Sequence, residues 1–158
     1  MKRLAILFIG AIAVLCIGAV AILPVGVSDA AGHARAARAA KLQLRHTELG
    51  NILVNGGGLT VYAFTRDSHN HDRCVTISGC TSIWPLVSTS GNPRLGPGVR
   101  RSLVRAIKLP GGARQLTYAG HPLYTYIGAS GPGDISYVGL SQFGGRWLAL
   151  TAAGRTVK

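Results

Sequence analysis

Residues 49–67, L-G-N-I-L-V-N-G-G-G-L-T-V-Y-A-F-T-R-D, decide the predicted fold of this chain. They contain two short apolar runs, residues 52–54 and 59–64, which the turn-like segment 55–58 separates. Asn and Gly favour tight turns, whereas Val, Tyr and Phe are enriched in strands. The stretch is therefore typical of two β-strands joined by a turn.

Short apolar runs separated by Gly, Pro and Asn continue from there to the end of the chain. Four further strands are predicted, at residues 103–109, 114–118, 122–127 and 146–151. The polar residues 66–73 are predicted to form a loop. Because no later segment has a sustained helical period, the pattern predicts an all-β fold, a small antiparallel domain.

Two segments of the sequence are similar to each other. V-Y-A-F at residues 61–64 recurs as L-Y-T-Y at residues 123–126, and a tryptophan follows each at a similar distance, Trp84 and Trp147. This predicts two related β-hairpin repeats, at about residues 49–90 and about residues 100–154. Alternate residues of a strand share a face, so we expect paired aromatic residues to pack in the core. The pairs are Tyr62 with Phe64 and Tyr124 with Tyr126.

Both halves resemble a known family. C-V-T-I-S-G-C-T-S-I-W-P-L follows the first stretch at residues 74–86, and Q-L-T-Y-A-G-H-P-L-Y-T-Y at residues 115–126 precedes G-P-G-D and G-G-R-W. These segments are similar to the two repeats of the bacterial secreted-repeat family of predicted lipoproteins, which has a Y-x-[FWY]-x-x-D motif. Tyr62, Phe64 and Asp67 match that motif. The resemblance implies an exported protein, and the function of the family is unknown.

The second half departs from this motif, because Ala129 stands where the acidic residue is expected. A structural role explains Asp67 well. A carboxylate just after a strand accepts backbone N–H bonds in the following loop, as Asp does in turns. We therefore expect Asp67 to fasten the exit loop, and Trp84 to pack against the sheet nearby.

Cys74 and Cys80 are the cysteines outside the apolar leader, and five residues separate them. In an oxidising compartment so short a loop closes readily with one bridge, which predicts a disulfide. Two free buried thiols or a metal-binding pair are the alternatives. The C-x5-C spacing differs from the C-x2-C spacing of common zinc sites.

The densest group of metal-type ligands is the loop S-H-N-H-D with the nearby motif carboxylate, that is His69, His71, Asp72 and Asp67. In an extended loop the two imidazoles point the same way, and imidazole with carboxylate suits zinc or copper. The alternative is that these are solvated loop residues and that the protein has no cofactor.

Nothing in the sequence favours an enzyme. Nucleophilic catalysis needs a nucleophile, a base and an orienting group held together, and no nucleophile here has such a setting. The chain has five acidic residues, too few to favour paired-carboxylate chemistry. We predict no catalytic residues, although an enzyme with a site between the repeats is a further hypothesis.

The N-terminus predicts export. Lys2 and Arg3 precede an apolar run at residues 4–23, so residues 1–30 are predicted to be a signal peptide or membrane anchor that forms a hydrophobic export helix. Ser28 and Ala30 suit cleavage before residue 31. Lipidation at Cys16 is a weaker alternative. The basic, Ala/Arg-rich residues 31–48 are predicted to be a tether, so that the β domain covers residues 49–154.

The net charge of +12 predicts an anionic partner. Outside the cytoplasm this is an anionic membrane surface or a cell-wall polymer. No nucleic acid is expected, since the Arg residues lack the interleaved aromatic platform of single-strand binders. The sequence therefore predicts an exported, envelope-associated binding or structural module, secreted or tethered to the outer face of the cytoplasmic membrane. A metal-binding extracytoplasmic protein is the second hypothesis.

Overall fold

The computed structural model describes residues 39–158. The predicted leader, with its cleavage site and Cys16, and residues 31–38 of the predicted tether lie outside the described residues. No helix within the described part is long and apolar enough to cross a bilayer.

The described residues are mostly β-structure in three small sheets, which confirms the predicted β class. The strands are β1 (Lys41–Thr47), β2 (Gly50–Asn55), β3 (Tyr62–Phe64), β4 (Arg94–Leu95), β5 (Val104–Lys108), β6 (Arg114–Tyr118), β7 (His121–Pro122), β8 (Ser141–Gln142), β9 (Gly145–Leu150) and β10 (Thr156–Val157). One short α-helix, α1 (Cys80–Ile83), and three 3-10 helices, Cys74–Thr76, Arg101–Leu103 and Pro110–Gly112, lie between them.

The three sheets have the strand orders β2-β1-β4, β10-β9-β3 and β5-β6-β7, with β8 paired to β9 beside the second sheet. Single bridges connect the sheets. Ile52 pairs with Thr151, and Tyr62 pairs with Tyr124. The backbone N–H groups of Tyr62 and Tyr124 each donate to the other's carbonyl oxygen, at 2.9 and 3.0 Å.

The β body begins earlier than predicted. Residues 41–47, which we assigned to the tether, form β1 and pair antiparallel with β2, Leu44 opposite Leu53. The strand forms because Leu42 and Leu44 alternate with polar residues, and Leu42 is fully buried. The predicted boundary at residue 49 is therefore wrong for this segment.

The segment 49–67 is folded differently from the predicted hairpin. The turn at 55–58 is confirmed: Asn55 Oδ1 accepts from the N–H groups of Gly57 and Leu59 at 2.9 and 3.0 Å, and Gly58 has φ +82°. Beyond it, the two strands share the single bridge Val54–Thr60. The second strand is shortened to β3, which pairs with the distant β9, Phe64 opposite Trp147.

The predicted pair at 103–109 and 114–118 is confirmed as β5 and β6, which are antiparallel with Val104 opposite Tyr118. The predicted strand at 146–151 corresponds closely to β9. The segment predicted as a strand at 122–127 is mostly irregular, because the pairing with β6 ends at β7. Beyond β7, Tyr124 forms single β-bridges with Tyr62 and Leu86.

Two core clusters meet at β3. One is aliphatic, and Val61 and Ala63 belong to it; the other is aromatic, and Tyr62 and Phe64 belong to it. Successive side chains of a strand point to opposite faces, so both faces of this short strand are buried. The aromatic cluster consists of Tyr62, Phe64, Cys74, Cys80, Trp84, Tyr124 and Trp147.

Replacing Phe64 with Ala should destabilise the fold strongly. The ring is 2 % exposed and stacks on Trp147 with a centroid separation of 4.2 Å, so truncation leaves a cavity between the two clusters. We expect a loss of about 3 to 5 kcal/mol in the free energy of unfolding, measured by urea denaturation. Ile127→Ala, at a side chain that is 65 % exposed, is the control and should change little. A Phe64→Ala protein as stable as the parent would contradict this placement.

Candidate functional site

The predicted aromatic residues converge in one stack. Trp84 and Trp147 lie parallel, with ring centroids 3.9 Å apart and planes at 2°, and Phe64 stacks on the far side of Trp147. Tyr62 meets Trp84 edge-on, and Tyr124 meets Trp147 edge-on, each at 5.1 Å. These five residues are buried, so their predicted role in core packing is confirmed.

Tyr126 lies at the open end of this stack. Its ring is 4.6 Å from Trp84 and 4.1 Å from Tyr137, and it is half-buried. It belongs to the rim of the aromatic cluster. The Trp84 indole N–H donates to Gln142 Oε1 at 2.8 Å, which fixes the orientation of the stacked ring.

The predicted disulfide between Cys74 and Cys80 is confirmed. The two Cα atoms are 5.4 Å apart, and both cysteines are fully buried in the aromatic cluster. Closing so short a loop stabilises the fold by about 2 kcal/mol in the chain-entropy picture. The bridge joins the 3-10 helix Cys74–Thr76 to α1 and places Trp84 at the end of α1.

Asp67 fastens the loop after β3, as predicted. Its Oδ1 accepts from the Arg73 backbone N–H at 2.8 Å, which closes the loop 66–73. Its Oδ2 accepts from the Tyr124 hydroxyl at 2.8 Å. The second bond was not predicted, because it joins segments far apart in the sequence. It follows from the Tyr62–Tyr124 bridge, which brings the second aromatic segment beside β3.

Burial raises the pKa of Asp67 to about 7, and the charge of Asp72 contributes. The hydrogen bonds from the Arg73 N–H and the Tyr124 hydroxyl act in the opposite direction but do not offset the desolvation. Burial and the two carboxylates raise the pKa of Tyr124 well above its ordinary value. Tyr124 therefore stays protonated and donates to Asp67.

Asp72 is the second carboxylate of this region and is 4 % exposed. Its Oδ1 accepts from the Val75 N–H at 2.9 Å at the start of the 3-10 helix Cys74–Thr76. Its Oδ2 is buried and has no hydrogen bond of good geometry among the described residues, although the Tyr124 hydroxyl lies nearby. The half-buried carboxylate of Asp67 and the buried carboxylate of Asp72 thus share one tyrosine hydroxyl as their neighbour.

The metal site predicted from His69, His71, Asp72 and Asp67 is not assembled. Within residues 39–158 no group of three or more His, Cys, Asp or Glu side chains could hold a metal ion. The two histidines are exposed, whereas the carboxylates turn inward to backbone N–H groups and Tyr124. The zinc or copper prediction is therefore wrong for this arrangement.

The loop 66–73 has a packing role instead. The Asn70 N–H donates to the Gly120 carbonyl at 2.7 Å, and Asn70 Oδ1 accepts from the Thr117 hydroxyl at 2.9 Å. The His69 ring lies against Gly120, where a Cβ would collide with it. The loop is thereby docked on the turn between β6 and β7.

A cavity of about 190 Å³ opens beside β3. Four polar side chains line it, namely Asp67, His121, Thr65 and Thr156, and the remaining wall is Ala63, Phe64 and Leu148. Burial lowers the pKa of His121, and the charge of His69 lowers it further. The imidazole is therefore largely neutral near pH 7.

The second candidate site is a basic groove on the β5–β6 sheet. Arg101, Arg105 and Arg114 line a depression of about 220 Å³ beside residues 91–93. Arg105 also lines an adjoining depression of about 320 Å³ that reaches His69 and Asn70. No carboxylate lines either depression, so the groove presents uncompensated positive charge.

The acidic residues of the described part lie elsewhere. They are Glu48, Asp67, Asp72 and Asp134. Asp134 accepts hydrogen bonds from the backbone N–H groups of Ser130 and Ser136, both at 2.8 to 2.9 Å, and these hold its pKa at about 2. Asp67 and Asp72 are turned into the protein, so the exterior is more basic than the composition alone indicates.

Comparison with known proteins gives no match: no protein-family model, no curated protein and no solved structure is significantly similar to this chain.

Two tyrosine substitutions should differ sharply. Tyr124→Phe removes the donor to Asp67 and should cost about 1 to 3 kcal/mol. Tyr62→Phe removes a hydroxyl that is buried without a hydrogen bond of good geometry among the described residues, although Thr60 lies close by, and should be neutral or stabilising. Urea denaturation of both variants measures the contrast. Equal losses in the two variants would show that the Asp67 contact does not stabilise the fold.

The raised pKa of Asp67 predicts a pH dependence of stability. The folded protein binds this proton more tightly than the unfolded chain, with a pKa of about 7 against 3.8. The stabilisation is present below about pH 4 and is lost as the pH rises through about 7. Between pH 5 and pH 8 the parent should lose about 1 to 2 kcal/mol relative to Asp67→Asn, less than the full shift because the carboxylate is partly exposed.

His121→Gln is the control for this measurement. The pKa of His121 is lowered on folding, so its contribution has the opposite sign and increases as the pH rises to about 6.5. Removing it should therefore steepen the decline that Asp67 causes. Parallel pH profiles for the parent and Asp67→Asn would refute the assignment to Asp67.

Proposed function

We propose that this protein is a non-catalytic binding module of the bacterial cell envelope and that its basic groove binds a phosphate-bearing anionic polymer. The observation behind this proposal is that Arg101, Arg105 and Arg114 line one depression without a carboxylate and that Arg105 also lines a second such depression. Export, predicted from the leader, would place the groove among the anionic polymers outside the membrane.

The arginine side chains are available for a ligand. Arg101 donates to the Pro93 carbonyl at 3.4 Å and Arg105 to the Val104 carbonyl at 2.8 Å, so each has further N–H donors to offer. Arg114 makes no side-chain hydrogen bond within residues 39–158, and it is exposed. A planar guanidinium fork matches the oxygens of a phosphate group and favours such a ligand over a simple point charge.

The shape of the groove favours a chain over a bilayer surface. Its arginines line concave depressions, into which a linear polymer fits and a flat headgroup layer does not. The exposed large apolar side chains of the described residues are Ile127 and Leu140, and neither lines the groove. The apolar residues that would anchor this face in a membrane interface are therefore missing from it.

We also propose that the chain consists of the two repeats of the secreted-repeat family. The antiparallel Tyr62–Tyr124 bridge supports this, because it pairs the corresponding tyrosines of the two similar segments. Residues 49–67 and 74–86 carry the resemblance in the first half, and residues 115–126 with the later G-P-G-D and G-G-R-W carry it in the second. Under this proposal Asp67 and Ala129 occupy equivalent positions in the two repeats.

Binding of long-chain polyphosphate, measured by isothermal titration calorimetry, tests the groove. The triple variant Arg101→Gln, Arg105→Gln, Arg114→Gln should bind at least about tenfold more weakly, and the parent's affinity should fall steeply with added salt. The control triple variant Arg146→Gln, Arg155→Gln, Lys158→Gln removes the same charge elsewhere and should lose less than about threefold.

Equal losses in the two triple variants would contradict a localised site. Phosphatidylglycerol vesicles and polyglutamate serve as the other two ligands. Vesicles bound more tightly than polyphosphate would favour a membrane surface instead, and polyglutamate bound equally well would exclude phosphate selectivity. The proposal is supported if the control variant still binds polyphosphate as the parent does and the groove variant does not.

A further inference from the structure

The cavity beside β3 is separate from the basic groove and has the opposite electrostatic character. Asp67 lies on its wall, and no Lys or Arg side chain lines it. Asp67 also forms no ion pair with any basic side chain of residues 39–158. In a chain with a net charge of +12, a desolvated carboxylate that forms no ion pair is unusual, and Arg73 contacts Asp67 only through its backbone N–H.

We propose that this cavity binds a small ligand through a primary ammonium group, with Asp67 as the counter-ion. Concave sites that combine an apolar wall with a few convergent polar groups are the usual form of small-molecule sites. The inference is independent of polymer binding at the groove, because the two sites share no lining residue.

The polar groups of the cavity can accept hydrogen bonds. Asp67 Oδ1 accepts from the Arg73 N–H and Oδ2 from the Tyr124 hydroxyl, and the Cys74 N–H also lies nearby. A carboxylate has about four lone-pair sites, so at least one stays open to an ammonium donor. The Thr156 hydroxyl and the side chain of His121 form no hydrogen bond with another described residue. A neutral imidazole offers one acceptor nitrogen, and an ammonium group supplies three donors.

The charges around the cavity favour a cation. Asp72 lies close enough to raise the pKa of Asp67, and its buried Oδ2 has no hydrogen bond of good geometry among the described residues, although the Tyr124 hydroxyl lies nearby. Tyr124 faces both carboxylates and stays neutral. Among the titratable groups on this side, His121 faces the cavity, and His69 acts on it from the adjoining loop. A bound ammonium ion would offset the cost of burying negative charge here.

The dimensions restrict the ligand. A volume of about 190 Å³ admits an amino alcohol or a single amino sugar and excludes a polymer segment. Phe64 and Leu148 would contact the carbon atoms of such a molecule, while its ammonium group meets Asp67. We therefore assign the cavity to small primary amines with a short polar or carbon body.

The test uses ethanolammonium and glucosamine as probes at pH 8, with ethylene glycol and glucose as neutral analogues at equal concentration. For so small a ligand we expect a dissociation constant of about 1 mM. At 50 mM probe the melting temperature should then rise by about 9 °C. In ¹³C NMR the Asp67 carboxyl signal should move with saturation, and the neutral analogues should have no effect on either readout.

Asp67→Asn should abolish the rise in melting temperature, which is the readout that this variant keeps. Asp134→Asn is the matched control, since that carboxylate lies on an exposed loop outside the cavity, and it should leave the response unchanged. Thr156→Val is a second variant that leaves Asp67 and its hydrogen bonds in place, since Thr156 lies at an exposed position on β10. Loss of its hydroxyl should weaken probe binding by about threefold to tenfold. The proposal is overturned if no amine probe raises the melting temperature of the parent, or if Asp67→Asn responds as strongly as the parent.

Discussion

The pair of backbone hydrogen bonds exchanged by Tyr62 and Tyr124, at 2.9 and 3.0 Å, is the contact on which the rest of the body depends. It pairs one edge of β3, and β9 pairs with the same short strand, Phe64 opposite Trp147. Because its faces also enter two different clusters, β3 is surrounded by protein. Such a position tolerates few polar side chains, which explains the continuous apolar run V-Y-A-F.

Local contacts were predictable and distant ones were not. The β5–β6 pair was predicted because its strands are adjacent in the sequence and a Pro-Gly-Gly segment separates them. The pairing of β3 with β9 was missed, because no local pattern specifies a partner far along the chain. The Ala/Arg-rich composition of residues 31–48 predicts a tether, whereas the short alternation of Leu42 and Leu44 within it forms β1. Burial against β2 prevails there over local propensity.

The aromatic core and the disulfide were predictable from residue type and spacing, whereas the geometry around Asp67 was not. The polar loop 66–73 resembled a ligand set because it combines histidines and carboxylates. In the structure those carboxylates accept hydrogen bonds from the Arg73 and Val75 N–H groups, which the compact loop would otherwise leave unsatisfied. Histidines and carboxylates in a short loop therefore predict a metal site poorly when the same carboxylates are needed to accept hydrogen bonds from the N–H groups of the loop.

Under the proposed repeat relation, the two repeats differ at one position, because Ala129 stands in the second repeat where Asp67 stands in the first. Asp67 in the first repeat accepts a hydrogen bond from the Tyr124 hydroxyl of the second, whereas Ala129 offers no acceptor to the Tyr62 hydroxyl. That hydroxyl has no hydrogen bond of good geometry among the described residues, although Thr60 lies close by and the charge of Asp134 acts on it. Within residues 39–158, the Asp67 carboxylate lies on the wall of a cavity, and Asp72 places a buried acid close to it. The described body thus has two unlike surfaces, a cavity at β3 with a carboxylate on its wall and a basic groove on β5 and β6. Opposite charges kept apart in this way do not neutralise each other, so each surface remains available to a ligand of the opposite sign.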